Sequence, residues 1–290
     1  MSEFQNLFSC IIPENFKMSK GQKRIVDYIT HHYDSAAFMT AAKLGKAVGV
    51  SESTVVRFAS ELGFDGFSEF KKALCDIVKN KLTSVQRMEI ISSKIGDEDV
   101  LKNVMQSDIE KLRQTMENVS ASDFEKSVEL LLNANKVYIL GARTCFSLAT
   151  FLEVYLNMLL DNVKVVAANS ASDVFEQMYQ IGKSDVLIAI SYPRYSQRTL
   201  KGVKFAYERG AHIITITDSS SAPLVDYAEC SLVAGCDMSN IVDSLVAPLS
   251  LINALIVAIV MRNKTKATEA FESLEDIWAK YNAYQNEEER

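Results

Sequence analysis

Two short segments pair loop-forming residues with an arginine. Gly141-Ala142-Arg143-Thr144-Cys145 follows the apolar run Val137–Leu140, and Ser191-Tyr192-Pro193-Arg194-Tyr195-Ser196 follows the run Val186–Ile190. Open α/β sheets bind ligands just beyond the carboxyl ends of their strands, at a crossover. Guanidinium groups grip carboxylate or phosphate oxygens bidentately, and hydroxyls and loop amides add further donors. The candidate effector-binding residues are therefore Gly141, Arg143, Thr144, Ser191, Arg194, Tyr195 and Ser196, and the expected ligand is a small anion. The competing reading has the two arginines filling the pocket, or pairing with acids such as Glu153 or Asp173.

A second kind of chemistry lies in residues 40–62. Two short helices, Ala41–Ala47 and about Glu52–Leu62, flank the turn Val48-Gly49-Val50. Thr40 and Ser51 stand at the helix starts, where free N–H groups and the helix dipole favour a phosphate. An α-helix fits the DNA major groove and reads it from its N-terminal residues. The candidate DNA contacts are Thr40, Lys43, Ser51, Glu52, Ser53, Thr54 and Arg57. Lys43 and Lys46 suit phosphates; Ser53, Thr54 and Arg57 suit base edges, with Arg57 the guanine reader. Leu44, Val50, Val55 and Phe58 are expected to pack the pair. The alternative is a helical hairpin with no nucleic-acid partner.

The remaining motifs are weaker. His31, His32 and His212 form no metal-ligating set, so surface or packing roles are expected and no metal. No Walker loop, G-x-G-x-x-G or G-x-S-x-G elbow occurs, so no cofactor is expected. Thr217-Asp218-Ser219-Ser220-Ser221 follows a strand and either rims the pocket or is a plain turn. Cys10, Cys75, Cys145, Cys230 and Cys236 form no C-x-x-C pair and suit a reducing cytoplasm.

These residues need elements to hold them. The chain has 290 residues, 48% hydrophobic and 23% charged, with only 11 Gly and 4 Pro. That excludes disordered, collagen-like and disulfide-dense chains and favours helix. Net charge is −6, but residues 17–82 hold eleven Lys/Arg against seven Asp/Glu, while the body beyond is acidic. A basic head on an acidic body suits a protein of which one domain meets a polyanion.

After a short leader over residues 1–16, Ser19 opens a helix through S-x-x-Q capping-box spacing. Ile25, Val26, Ile29 and Tyr33 share one of its faces, and Asp34-Ser35 is expected to break it. A further helix spans about Ser68–Lys79. Residues 83–136 read as helical connectors, Ser122 capping the last. Beyond 136, the runs Val137–Leu140, Val163–Ala167, Val186–Ile190, Ile213–Thr217 and Ser231–Val233 alternate with helix-length segments 146–160, 172–181, 197–209 and 222–228. Strand–helix alternation implies a parallel sheet covered on both faces. Ile241–Met261 is long enough for a membrane span, but Ser244, Pro248, Ser250 and Asn253 interrupt it, so a buried core helix and no membrane are expected. A helix over about 267–284 carries Phe271, Leu274, Ile277, Trp278 and Tyr281 as an oligomer or domain seam.

Residues 18–80 resemble the N-terminal domain of RpiR/MurR-type transcriptional regulators. Val50-Ser51-Glu52-Ser53-Thr54-Val55-Val56-Arg57-Phe58 followed by Leu62-Gly63-Phe64-Asp65-Gly66-Phe67 carries the resemblance. It implies operator binding as part of an oligomer and a C-terminal SIS (sugar isomerase) domain that binds phosphorylated sugars. The family's pocket loops resemble G-x-G-x-S and S-x-S-G-x-T/S. Here Arg143 stands for the second glycine and Cys145 for the serine, while Pro193 and Arg194 replace the middle Ser-Gly.

The fold class expected is α/β with a separate all-α N-terminal domain: a helix-turn-helix head joined to a doubly wound parallel-sheet SIS domain. The boundaries are 1–80 for the DNA-binding domain, 81–124 for a helical linker, 125–262 for the SIS effector-binding domain and 263–290 for the C-terminal helix and tail. The expected function is a cytoplasmic, non-enzymatic DNA-binding regulator of carbohydrate or related metabolism. Its partners are double-stranded operator DNA, a small anionic metabolite such as a sugar phosphate, and further copies of the chain in a homodimer or homotetramer. The alternatives are a sugar-phosphate isomerase-like enzyme, for which Glu153 is the one candidate base, and a metabolite sensor that does not bind DNA.

Overall fold

In the computed structural model the described residues are 18–79, 99–167, 171–236 and 242–283, with a few isolated positions besides. The chain divides into two units near residue 100, each with its own core.

The N-terminal unit is all helical. Helix α1 (Lys20–His31) starts at Ser19 with a complete capping box, the side chains of Ser19 and Gln22 each serving the other's backbone. The expected break at Asp34-Ser35 falls instead at His32, whose φ of −130° and ψ of 38° end α1; Asp34 and Ser35 lie inside a helical turn, α2 (Tyr33–Ala36). Then come α3 (Ala41–Val48), α4 (Glu52–Glu61) and α5 (Phe67–Lys79). Ile25, Ile29, Leu44, Val55, Phe58, Phe70 and Leu74 form the core. Phe58 meets Phe70 edge to face at 5.7 Å, the arrangement that ring quadrupoles favour. Val50, expected inside with them, is only half-buried because it sits in the turn.

The second unit begins with α6 (Val100–Asn118) and α7 (Ala121–Asn133). Ser120, not Ser122, caps α7, accepting from the Asp123 N–H at 3.2 Å. Ser122 lies in the first turn, its hydroxyl 3.0 Å from that of Ser120. There follow β1 (Lys136–Gly141), α8 (Thr144–Leu159), β2 (Val163–Ala167), α9 (Ala171–Gln177), β3 (Asp185–Ile190), α10 (Gln197–Glu208), β4 (His212–Thr217), β5 (Cys230–Val233), α11 (Val246–Arg262) and α12 (Lys264–Lys280). The stretch 222–228, expected to be helix-length, holds only a 3-10 turn at Val225–Tyr227.

All strands pair in parallel, in the order β2-β1-β3-β4-β5. Side chains alternate across the sheet. Val137, Ile139, Val186, Ile188 and Ile190 join one core with α7, α8 and α11, while Tyr138, Leu140, Leu187 and Ala189 join the other with α9 and α10. The edges are closed by side chains. Glu153 on α8 accepts from the Val165 N–H at 2.9 Å, Gln177 both accepts from and donates to the backbone of Ala167, and Asp123 accepts from the Ser231 N–H at 3.0 Å. Such side-chain satisfaction stops an edge strand from recruiting another chain.

Helix α11 lies within the segment Ile241–Met261; Ile241 itself is outside the described residues. Ala247, Pro248, Leu251, Ile252, Leu255, Ile256 and Ile259 are buried, but Val257 and Met261 are 59% and 57% exposed on the opposite face. Among the described residues, no single helix is long and apolar enough to cross a membrane.

Candidate functional site

The order β2-β1-β3 places the chain's change of direction between β1 and β3, which are neighbours. β1 leads through α8 to one side, and β3 leads through α10 to the other. Gly141 and Ile190 are register partners, so both arginine-bearing loops leave the sheet side by side. A crevice of this kind is where ligands of doubly wound sheets bind.

The first loop is a tight turn. The Cys145 N–H donates to the Ala142 carbonyl at 3.2 Å, and Arg143 between them has φ 59° and ψ −125°. These are the dihedrals of the first central position of a type II′ turn, which glycine normally takes. Arg194 in the second loop also has positive φ, at 63°. Among the described residues the other non-glycine cases are Asp99 and Asn282, types that tolerate this region. Both arginines therefore keep a glycine's backbone while carrying an exposed, charged side chain. Gly141 is required by close approach: a Cβ there would lie 2.6 Å from the Cys145 carbonyl oxygen.

Helix α8 starts at Thr144 without any side-chain cap, since its N-cap residue is Arg143. Its first N–H groups and positive dipole end thus face the loop, a polarity that favours an anion. Helix α10 differs, because the hydroxyl of Ser196 accepts from the Thr199 N–H at 3.4 Å. Ser196 is thus a cap, and Tyr195 turns towards the end of β4, donating its hydroxyl to Asp218 at 2.8 Å. Ser191 is buried, its N–H bound to the Ile216 carbonyl at 3.1 Å. Gly141, Arg143, Thr144, Ser191 and Arg194 are therefore brought together at two adjacent strand ends, whereas Tyr195 and Ser196 serve the loop's own frame. Asp218 joins the rim, and the serines after it close a turn among themselves.

Burial dominates beneath the loops. The Cys145 thiol is pushed up to about 11, chiefly by burial, so it is a neutral packing group and no nucleophile at neutral pH. Tyr192 is fully sequestered, which raises its phenol well above the ordinary value, and its hydroxyl has no hydrogen-bond partner among the described residues. Thr199 Oγ1 is in the same condition. Buried unpaired hydroxyls are uncommon, and neither was legible in the sequence because pairing is a tertiary property. Glu153, the candidate base, is committed to the β2 edge. The side chain of Asp173 lies outside the described residues.

In the N-terminal unit the other candidate residues lie on α3 and α4, most of them at the helix starts, with Lys46 in the last turn of α3 and Arg57 in the middle of α4. Thr40 Oγ1 accepts from the Lys43 N–H and Ser51 Oγ from the Thr54 N–H, both at 3.2 Å. The Ser51 hydroxyl also lies 2.8 Å from those of Ser53 and Thr54. Lys43, Lys46, Ser53 and Arg57 are exposed, while Thr54 is half-buried. Gly49 ends α3 at φ 69°, and Arg24 donates to its carbonyl at 3.3 Å. A Cβ on Gly45 would lie 2.9 Å from the Val50 carbonyl oxygen, so this second glycine lets α3 and the turn close.

A reading head of two capped helices and a sheet with an anion-friendly crevice define a ligand-responsive helix-turn-helix regulator as the class. Comparison with known proteins gives the family. Residues 5–81 match the helix-turn-helix domain of the rpiR family, and residues 130–258 match the SIS domain. An HTH-type transcriptional regulator of Clostridium perfringens is 31% identical over 210 residues, covering 72% of this chain and 74% of that one. The sugar isomerase domain of an RpiR transcription factor from Sphaerobacter thermophilus superposes with a TM-score of 0.59 at 26% identity, over 62% of this chain and 99% of that one. The Vibrio vulnificus NanR protein, solved in complex with ManNAc-6P, shares the fold at a TM-score of 0.59 and 18% identity, over 97% of this chain and 99% of that one. The chain belongs to the rpiR family of helix-turn-helix transcriptional regulators, with a C-terminal SIS domain.

Proposed function

We propose that the protein is a cytoplasmic repressor or activator whose DNA affinity is set by a small anionic metabolite held between the loops after β1 and β3. The observation that carries this is the pair Arg143 and Arg194, both at positive φ on adjacent strand ends. Strain of this kind persists where the surroundings impose it, and it clusters at ligand sites. An uncapped helix start beside them adds fixed dipoles for the same charge. A phosphorylated sugar is the ligand class that suits the fold, since NanR was solved with ManNAc-6P. Two guanidinium forks in place of loop glycines favour a compact anion gripped by its oxygens.

In this reading Ser53, Thr54 and Arg57 of α4 face base edges, and Thr40, Lys43, Ser51 and Glu52 line the approach to the backbone. The functional boundaries are 1–80 for DNA, 81–124 for the linker, 125–262 for the effector and 263–290 for the C-terminal helix and tail. A homodimer or homotetramer supplies paired half-sites. Exposed apolar side chains support self-association: Leu101, Met105 and Met116 on α6, Val257 and Met261 on α11, and Phe271 on α12 with Tyr281 at its end. An apolar groove of about 710 Å³, lined by Ile109, Leu112, Met116, Phe124 and Leu251, runs along the same region. Effector binding then biases the packing between copies and hence the spacing of the reading heads.

Titration calorimetry with a panel of sugar phosphates and small carboxylates tests the pocket. Binding by the natural chain that is lost in both Arg143→Ala and Arg194→Ala is expected. Undiminished binding in the two variants would refute the arginine clamp.

A further inference from the structure

Gln22 is the one buried polar side chain among the described residues of the helical head, at 4% exposure, and its place in α1 is far in sequence from the reading helix. Both ends of its amide are committed. Oε1 accepts from the Ser19 N–H at 2.8 Å, closing the capping box. Nε2 donates to Oε2 of Glu61, the last residue of α4, at 2.5 Å. A backbone N–H can only donate, so the Ser19 contact fixes which end of the amide is oxygen, and the far end must meet an acceptor. The other oxygen of the same carboxylate, Glu61 Oε1, lies 3.5 Å from Nε of Arg57.

An exposed ion pair one helical turn apart contributes little when both partners are mobile. Here one partner is not mobile, because a buried amide anchored to a helix start holds the Glu61 carboxylate. The first turn of α1 is itself seated against the turn and α4, since a Cβ on Gly21 would touch Val50 at 3.4 Å and Thr54 at 3.7 Å. Arginine meets the carboxylate through Nε, which leaves its two terminal nitrogens for the O6/N7 edge of a guanine.

We propose that Gln22 and Glu61 are positioning residues for base recognition: they hold Arg57 in one of its many rotamers before DNA arrives, so that its terminal fork reaches a single base pair in each half-site. The inference rests on the assignment of Arg57 to a base edge. Pre-ordering a long side chain removes part of the entropy cost of the contact and restricts the bases that it can satisfy. Removing the anchor therefore changes discrimination at one position and leaves phosphate-dominated affinity in place.

The test uses the full chain and duplexes that it selects from a randomised library, with binding to single-base-pair variants followed by fluorescence anisotropy. Arg57→Ala should erase the preference at one base pair per half-site. Glu61→Gln, which keeps an acceptor for Gln22 but loses the charge, and Gln22→Met should each weaken the preference at that same base pair about tenfold, with less than about twofold change elsewhere. Glu61 is exposed, so Glu61→Gln should leave the melting temperature unchanged and report on positioning alone. If Arg57→Ala erases the preference but neither other variant touches it, or if they weaken all duplexes equally, the positioning role is wrong while Arg57 keeps its part. If Arg57→Ala alters no base preference, the assignment of Arg57 falls and the positioning role with it. If selection enriches no duplex, the DNA reading itself fails.

Discussion

The helix-turn-helix unit and the α/β unit treat positive φ in opposite ways. In the first, the residues between α1 and α5 in that region are all glycines, Gly49 at 69°, Gly63 at 92° and Gly66 at 87°, and the one other described case is Asp99, a type that tolerates it. Its helix starts at Ser19, Thr40 and Ser51 also carry side chains that cap them. In the second, Gly210 after α10 obeys the same rule at 79°, yet Arg143 and Arg194 break it at the ends of β1 and β3. Sequences that specify one fold agree with themselves at every level, and departures collect at functional sites. The head thus keeps positive φ to glycines around α4, whereas the sheet unit places two charged side chains in that region at the ends of β1 and β3, where the proposed effector would bind.

The contrast can be broken by substitution. The largest effect is expected from Gly141→Ala, where a methyl would press on the Cys145 backbone at 2.6 Å. A loss of about 3 kcal/mol in urea unfolding is expected, the upper part of the overpacking range. The corresponding change in the head, Gly45→Ala at 2.9 Å from the Val50 carbonyl oxygen, should cost less. Arg143→Gly should act in the reverse sense. Relief of the strained φ, less the entropy cost of glycine, should raise stability by about 1 kcal/mol while anion binding falls. A variant that loses stability would show that the arginine is not strained, and the contrast between the units would disappear.

Ser51→Ala in the head removes a cap and should cost about 1 kcal/mol, read from the thermal midpoint of the helical signal. The smallest effect is expected at the sheet's opposite end. The Glu229 carboxyl is held below its usual range by hydrogen bonds from His212, 2.6 Å away, and then from Lys126, 2.9 Å away. A depressed carboxylate pKa stabilises the fold above the unfolded value of about 4.3 and ceases to do so as pH falls through the folded value. The advantage of the natural chain over Glu229→Gln should therefore be complete at pH 6 and shrink below about pH 4. It should stay under about 1 kcal/mol, because all three groups are partly exposed. An advantage that grows in acid would contradict this.

Reading α4 from the sequence succeeded because its signals are local: a capping serine, a glycine turn and apolar spacing on one face. The anchor on that helix was not legible, because Gln22 and Glu61 are 39 residues apart and meet only after α1 and α4 pack. In the α/β unit the strands were legible as short apolar runs, and the loops as the polar segments at their carboxyl ends. The direction that Glu153 faces is hidden from the sequence for the same reason as the Gln22 anchor. A carboxylate looks alike in sequence whether it faces a ligand or, as here, the Val165 N–H. The stretch 222–228 was expected to be a helix but forms only a 3-10 turn.

By itself the sequence determined most of the elements, the parallel sheet, the glycine turn of the reading head and the presence of an arginine in each loop after β1 and β3. Those follow from propensity, periodicity and residue type, which act over a few neighbours. Tertiary structure alone decided that β1 and β3 lie side by side, that both arginines adopt a glycine's backbone, and which hydroxyls and carboxylates are already engaged. Such outcomes depend on contacts between residues distant in the chain, and hydrogen-bond capacity is shared out only when those residues are packed together.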